Sequence, residues 1–207
     1  MRRLLTVSVS LCLLSAICSR LAFSAEFNEV LSIGDKAPDW SDLPGTDGKK
    51  HSLSEFKDKD VLVIVFSCLS CPTATDYEDR LNALTKQHAG PNSKVAVVAV
   101  CVNRVEADRL PKLEARAKAK SFAFPYLSDE SQKIAKDFGA IFTPEFYVLD
   151  KDRRVVYMGA MDDSTDPSKI QKRYVEDAVA AALKGEKPAV TETLARGCRV
   201  RYARERK

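Results

Sequence analysis

The sequence predicts an α/β domain, and two observations carry that prediction. "VLVIVF" (61–66) and "KVAVVAVCV" (94–102) are unbroken runs dominated by β-branched residues, the pattern of strands covered on both faces. Between them, Ala74, Tyr77, Leu81, Leu84 and His88 recur at 3-4-3-4 spacing until Gly90-Pro91 stops the pattern. Buried strand, amphipathic helix, buried strand is a βαβ unit. At 207 residues the chain suits one domain with additions.

The elements follow in order. Residues 1–25 have a basic start ("MRR"), an apolar centre and a small-residue end ("LAFSA"), the layout of a secretory signal peptide. Ser24 and Ala25 are the candidate cleavage positions, and an uncleaved anchor is the alternative. Removing Arg2, Arg3 and Arg20 lowers the formal net charge of +4 by three, so the basicity does not point to nucleic acid. Residues 26–59 read as an entry segment with a turn at "LPGTDGKK". After the second strand, Pro111 can open a helix running to Lys120. "FPYL" (124–127) reads as a third strand. Asp129, Gln132 and Gly139 then mark the start, capping-box partner and end of a helix. "EFYVL" and "RVVYMGA", joined by Asp150 to Arg153, read as an antiparallel hairpin. Asp166-Pro167-Ser168 opens a last helix with Ile170, Tyr174, Ala178 and Leu183 on one face. The domain therefore spans 26–185, and 186–207 is a basic extension expected to be irregular and solvated.

The chemistry centres on "FSCLSCPTA" (66–74). A Cys-x-x-Cys pair directly after a buried βαβ strand suits thiol–disulfide exchange: one thiolate attacks a disulfide, and a second thiol one turn away resolves the mixed product. The helix pattern assigns Cys68 to the helix start as the exposed attacker with a depressed pKa, and Cys71 as the more buried resolver. A zinc site lacks a second ligand pair, His51 and His88 being the only histidines. Haem attachment needs histidine where Pro72 stands. A copper chaperone would want wider cysteine spacing and a late histidine. A structural disulfide remains the plain alternative.

The stretches "VLVIVFSCLSCPTATDYEDRL" and "FAFPYLSDESQKIAKDFGAIFTPEFYVLDKDRRVVYMGAMDD" resemble thioredoxin-like redoxins of the AhpC/TSA type, over roughly 30–185. The closing "GCRVRY" is similar to the end of some bacterial members. The resemblance implies a thioredoxin-like fold, a central mixed sheet flanked by helices, with no metal or organic cofactor. It also implies that Pro144, after Thr143, is a cis proline beside the sulfurs, where Thr143 can pair a substrate peptide as an added strand. Three positions depart from the family. Ser67 replaces the aromatic before the first cysteine, Leu62 stands where thioredoxins bury an acid, and Leu69-Ser70 separates the cysteines.

The function these residues imply is that of an exported, periplasmic thiol–disulfide oxidoreductase whose Cys68–Cys71 pair exchanges with protein thiols and disulfides. No nucleic-acid partner and no membrane anchor after leader cleavage are expected. The alternatives are a thiol-dependent peroxidase and a non-catalytic redoxin-fold module. A peroxidatic Pro-x-x-x-Thr/Ser-x-x-Cys signature would need residues that Val61 and Val65 (for Cys68) or Ile64 and Cys68 (for Cys71) do not supply. Asp76, Glu78 and Asp79 read as a solvated helix face with Arg80. Two cysteines are left over. Cys198 is a candidate auxiliary thiol if the tail folds back. The favoured reading is plainer: Cys101 is a buried small hydrophobe and Cys198 a free or intermolecularly paired thiol, since nothing in 186–197 fixes a docking position.

Overall fold

The computed structural model describes residues 25–88, 90 and 92–203. The expected leader, with Cys12 and Cys18, lies outside the described residues except for Ala25. A small hairpin, β1 (Leu43–Pro44) with β2 (Lys50–His51), precedes the main sheet. Then come β3 (Val61–Phe66), α1 (Pro72–Asp76), α2 (Glu78–Gln87), β4 (Val95–Cys101), α3 (Leu110–Lys120) and β5 (Tyr126–Ser128). The second half holds α4 (Lys133–Phe138), β6 (Phe142–Thr143), β7 (Glu145–Leu149), β8 (Val155–Gly159), α5 (Tyr174–Leu183) and β9 (Cys198–Arg199). The main sheet has the order β5-β4-β3-β7-β8. β3 runs parallel to β4 and antiparallel to β7, so the sheet is mixed.

The unbroken apolar run of β3 is explained by its central place. Val61, Val63 and Val65 face α2, α3 and α5 through Leu81, Leu84, Leu113, Val175 and Val179. Leu62, Ile64 and Phe66 face the other way, onto Trp40, Phe138 and Tyr147. Phe66 meets Phe138 and Tyr147 edge-on, at centroid distances of 5.6 and 5.7 Å. With both faces covered, alternation of polar and apolar residues has no place in this strand.

Several expectations are refined. The first helix breaks at Tyr77, whose hydroxyl donates to Asp162 Oδ1 at 3.0 Å. β5 begins at Tyr126 rather than at Phe124. The N-cap of α4 is Gln132 rather than Asp129, whose carboxylate still accepts the Ser131 and Ile134 amides, and Gln132 is no capping-box partner. It turns inward at φ +64 and is 1% exposed. Residues 167–169 form a separate 3-10 turn, and the last helix starts only at Tyr174. Glu78 is not solvated: it is buried and takes a bidentate pair of bonds from Arg116.

The largest correction concerns the C-terminal extension, which is docked rather than solvated. The Thr191 carbonyl and the Thr193 amide bond to Met158 of β8. Further on, Val200 N–H donates to Ile141 O at 2.8 Å, and β9 pairs antiparallel with β6. Arg201 N–H reaches Asn103 Oδ1, and Gln132 bonds both Arg201 O and Ala203 N–H. Two glycines permit this approach. A Cβ on Gly159 would lie 2.1 Å from Thr193 O, and one on Gly197 would lie 2.0 Å from Thr143 O.

Candidate functional site

β3 delivers Ser67 and Cys68 at its C-terminal end, and Pro72 opens α1. Proline suits this first helical position because its missing N–H would have no partner there. Cys71 is therefore the N-cap, in extended conformation, and its sulfur accepts the Ala74 N–H at 3.4 Å. Cys68 lies one loop earlier. That loop is held by Asp108, 1% exposed, whose Oδ1 accepts the Leu69 and Ser70 amides, both at 2.8 Å. Its Oδ2 accepts Ser70 Oγ–H at 2.6 Å and the Asn103 amide at 3.1 Å. Ser70 Oγ in turn contacts the Cys68 sulfur at 3.7 Å. Sequence reasoning missed Asp108. Its one signal is position, just beyond the C-terminal end of β4, the edge where open α/β sheets gather their sites.

Thr143 closes the site from the opposite side. Its peptide bond to Pro144 is cis. Thr143 Oγ1 lies 3.3 Å from the Cys68 sulfur, and Cys71 lies 3.0 Å from Thr143 O, to which its thiol donates. Glu145 supports this bend by accepting the Ile141 and Phe142 amides at 2.8 and 2.9 Å and the Tyr147 hydroxyl at 2.8 Å. Burial pushes the Glu145 carboxyl up from its ordinary value, against those three donors.

The protonation pattern differs from expectation. Cys68 and Cys71 are both buried, at 2% and 0% exposure, so Cys68 is not the exposed thiol of the pair. The Cys71 thiol is drawn down to about 4, first by its hydrogen bond with Cys68 and then, against burial, by the Cys198 thiol and the amides of Ala74 and Cys198. Cys68 is pushed upward by the same bond to Cys71, by burial and by the charge of Asp108. The Thr143 carbonyl favours a protonated Cys71, but it is one acceptor against several donors, and the donors prevail. The late helix start adds to this, because the Ala74 amide of the first turn donates to the Cys71 sulfur.

Cys198 joins the same cluster. Its N–H donates to the Cys71 sulfur at 3.3 Å, its carbonyl accepts from Thr143 Oγ1 at 3.3 Å, and its side chain is exposed. The structure thus overturns the premise that no docking position exists for the tail. Cys101 remains the buried small residue expected, 1% exposed and pushed up to about 12 by burial, with its thiol on Asp108 O at 3.6 Å. Among the described residues, no group of three His, Cys, Asp or Glu side chains is placed to hold a metal ion.

The redoxin family model matches residues 32–174. The chain belongs to the redoxin family. Its curated relatives include the thiol-disulfide oxidoreductase ResA of Geobacillus thermodenitrificans, 26% identical over 74% of this chain and 85% of that protein. A Mycobacterium tuberculosis protein that carries the name peroxiredoxin is 29% identical over 61% of this chain and 83% of its own. Among solved structures, a hypothetical protein of Sinorhizobium meliloti is 33% identical, with a TM-score of 0.76 over 84% of this redoxin and 96% of that chain. Thioredoxin-like structures at lower identity share the fold. This redoxin is accordingly a thiol–disulfide oxidoreductase on a thioredoxin-like fold.

Proposed function

We propose that this redoxin exchanges a Cys68–Cys71 dithiol and disulfide with protein partners outside the cytoplasm. The observation that carries the reading is Thr143, which contacts both sulfurs from one residue beside Pro144. Cys71, the better stabilised thiolate, attacks a partner disulfide and forms a mixed disulfide. Cys68 then attacks the Cys71 sulfur, releasing the partner as a dithiol and leaving the Cys68–Cys71 bond. The chain from Cys68 through Ser70 Oγ to Asp108 offers a route for the Cys68 proton, in the absence of an acid at Leu62. The leader-like start supports export.

Insulin reduction, with dithiothreitol as the electron source, tests this. Cys71→Ser should abolish turnover, and Cys68→Ser combined with Cys198→Ser should accumulate partner mixed disulfides at Cys71. Wild-type turnover in both variants would sink the two-thiol mechanism. N-terminal sequencing of periplasmic material tests export: a mature start at Ala25 or Glu26 is expected, and purely cytoplasmic protein opposes it.

A peroxidase reading is favoured by the peroxiredoxin-named relative and by the donors around Cys71. The Ile64 and Cys68 positions give it no signature residues. Stopped-flow peroxide consumption separates the two readings: rapid oxidation of Cys71 would make the peroxidase primary.

A further inference from the structure

The pairing of β9 with β6 puts the chain's own tail at the edge where an extended partner peptide would pair with Thr143. The occupant is Gly197-Cys198-Arg199, with its amide on the Cys71 sulfur and its carbonyl on the Thr143 hydroxyl. We propose that Cys198 is a third redox thiol of this centre, exchanging disulfide with Cys71 and carrying redox equivalents between the buried pair and partner proteins. The inference rests on the two-thiol reading above and extends it.

Four observations carry it. Cys68 and Cys71 are buried beneath the docked tail, whereas Cys198 is exposed, so a partner meets Cys198 first. Thr143 and Cys198 are register partners, which fixes the tail sulfur beside the pair rather than leaving it to diffuse. Gly197 is the residue that lets the strand come this close, as no Cβ fits against Thr143 O. The anchors are distributed on both sides of Cys198: Thr193 on β8 before it, and Val200, Arg201 and Ala203 on Ile141, Asn103 and Gln132 after it. In the reduced state the hydrogen bond with Cys71 pushes the Cys198 thiol up, as do burial and the Cys71 charge, while Arg201 pulls it down. Once Cys71 is bonded to Cys68, the Cys71 influences are gone while burial and Arg201 remain, so the Cys198 thiolate forms more readily when there is a disulfide to attack.

The step balances within the chain. Cys198 gives up its proton and attacks the Cys71 sulfur. The Cys71–Cys198 bond forms, the Cys68–Cys71 bond breaks, and Cys68 leaves with the electron pair and takes up a proton. A partner dithiol then attacks the exposed Cys198 sulfur, releasing Cys71 as a thiolate. The partner's second thiol displaces Cys198, so the partner is oxidised by two electrons and Cys71 and Cys198 are reduced. A partner disulfide drives the same steps in reverse.

The test uses the full chain carrying Cys68→Ser, oxidised with glutathione disulfide and mapped by mass spectrometry under non-reducing conditions. The expected product lacks two hydrogens, carries no glutathione, and yields a Cys71–Cys198 linked peptide. Adding Gly197→Val, which expels the strand, should slow its formation by roughly tenfold or more, as lost proximity requires. A persistent glutathione adduct on Cys71 with Cys198 still free to alkylate would overturn the proposal, as would linkage at an equal rate in the Gly197→Val background. Oxidised Cys198→Ser should still form the Cys68–Cys71 bond. That readout keeps the two-thiol reading separate, so a free Cys198 in the first experiment removes the relay alone.

Discussion

The amide of Cys198 donates to the sulfur of Cys71 at 3.3 Å, across 127 positions of the chain. This one bond makes the C-terminal tail part of the thiol site. It adds a donor to a sulfur already capped by Ala74 N–H at 3.4 Å, and so bears on which of the two central cysteines holds the negative charge.

The depressed Cys71 thiol gives a signed pH dependence. A group whose folded pKa lies below its unfolded value contributes stability that is complete above the unfolded pKa and is lost as pH falls through the folded one. For Cys71 that window runs from the ordinary thiol value of 9.0 down to about 4. The stability of the reduced protein relative to reduced Cys71→Ser should therefore rise with pH across the window. Urea denaturation of both proteins under reducing conditions checks it. Thiolate absorbance should also titrate below the ordinary thiol value of 9.0, and an inflection only near 9 would return the charge to an ordinary thiol.

Asp108 organises the loop between the cysteines and has no surface role, being 1% exposed. Asp108→Ala strands the amides of Leu69 and Ser70 and the side chain of Asn103. Losing buried partners of this kind costs about 3 kcal/mol in total. Because Ser70 also loses its acceptor, resolution by Cys68 should slow, and mixed disulfides should persist longer than in wild type. Asp108→Asn keeps one acceptor oxygen and should recover part of the stability but less of the resolution rate. A variant of normal stability with unchanged mixed-disulfide lifetime would remove Asp108 from the site.

What could be read in the sequence follows the strength of local signals. β3, β4 and the β7–β8 hairpin were legible because runs such as "VLVIVF" and "EFYVL" allow little besides buried strand. Cys68 and Cys71 were legible because they directly follow such a run, and Thr143-Pro144 through the family resemblance. The polarity of the pair was not, since it depends on whether the helix begins at Cys68 or at Pro72. Helix starts are set by a few amides that the apolar spacing of Ala74, Tyr77 and Leu81 does not report. The docked tail was illegible for another reason. Its contacts with Asn103, Gln132 and Thr143 are polar and long-range, and Gln132 carries a local capping-box pattern that its αL backbone does not use.

Thr143→Val removes one hydroxyl while nearly keeping side-chain volume. The hydroxyl contacts the Cys68 sulfur and donates to Cys198 O, so both central and tail thiols lose a contact. A hydrogen bond of this kind is worth about 1 kcal/mol, roughly fivefold in a rate. Resolution of a partner mixed disulfide should slow by that factor, measured by quenched-flow alkylation, with the fold intact by circular dichroism. Unchanged resolution would confine Thr143 to its backbone contacts.

Gln132 tests the docking of the tail without touching a sulfur. Its side chain is buried, donates to Val102 O at 2.8 Å and Arg201 O at 2.9 Å, and accepts Ala203 N–H at 2.7 Å. Gln132→Ala leaves those groups to find water, which they can do only if the tail moves outward. The cost is about 1–3 kcal/mol, concentrated in the local opening of residues 198–203 rather than in global unfolding. Trypsin should then cut after Arg199 and Arg201 at least several-fold faster than in wild type, while the urea midpoint falls less than the local opening implies. Exchange of the Cys198 amide, bonded to Cys71, should accelerate with it. The αL backbone, at φ +64, is equally strained with Gln or Ala and is relaxed by Gly, so Gln132→Gly removes the side chain while easing the turn. If Gln132→Gly also releases the tail, the lost amide bonds are responsible. If Gln132→Ala and Gln132→Gly both leave the tail protected, the side chain does not hold it in place.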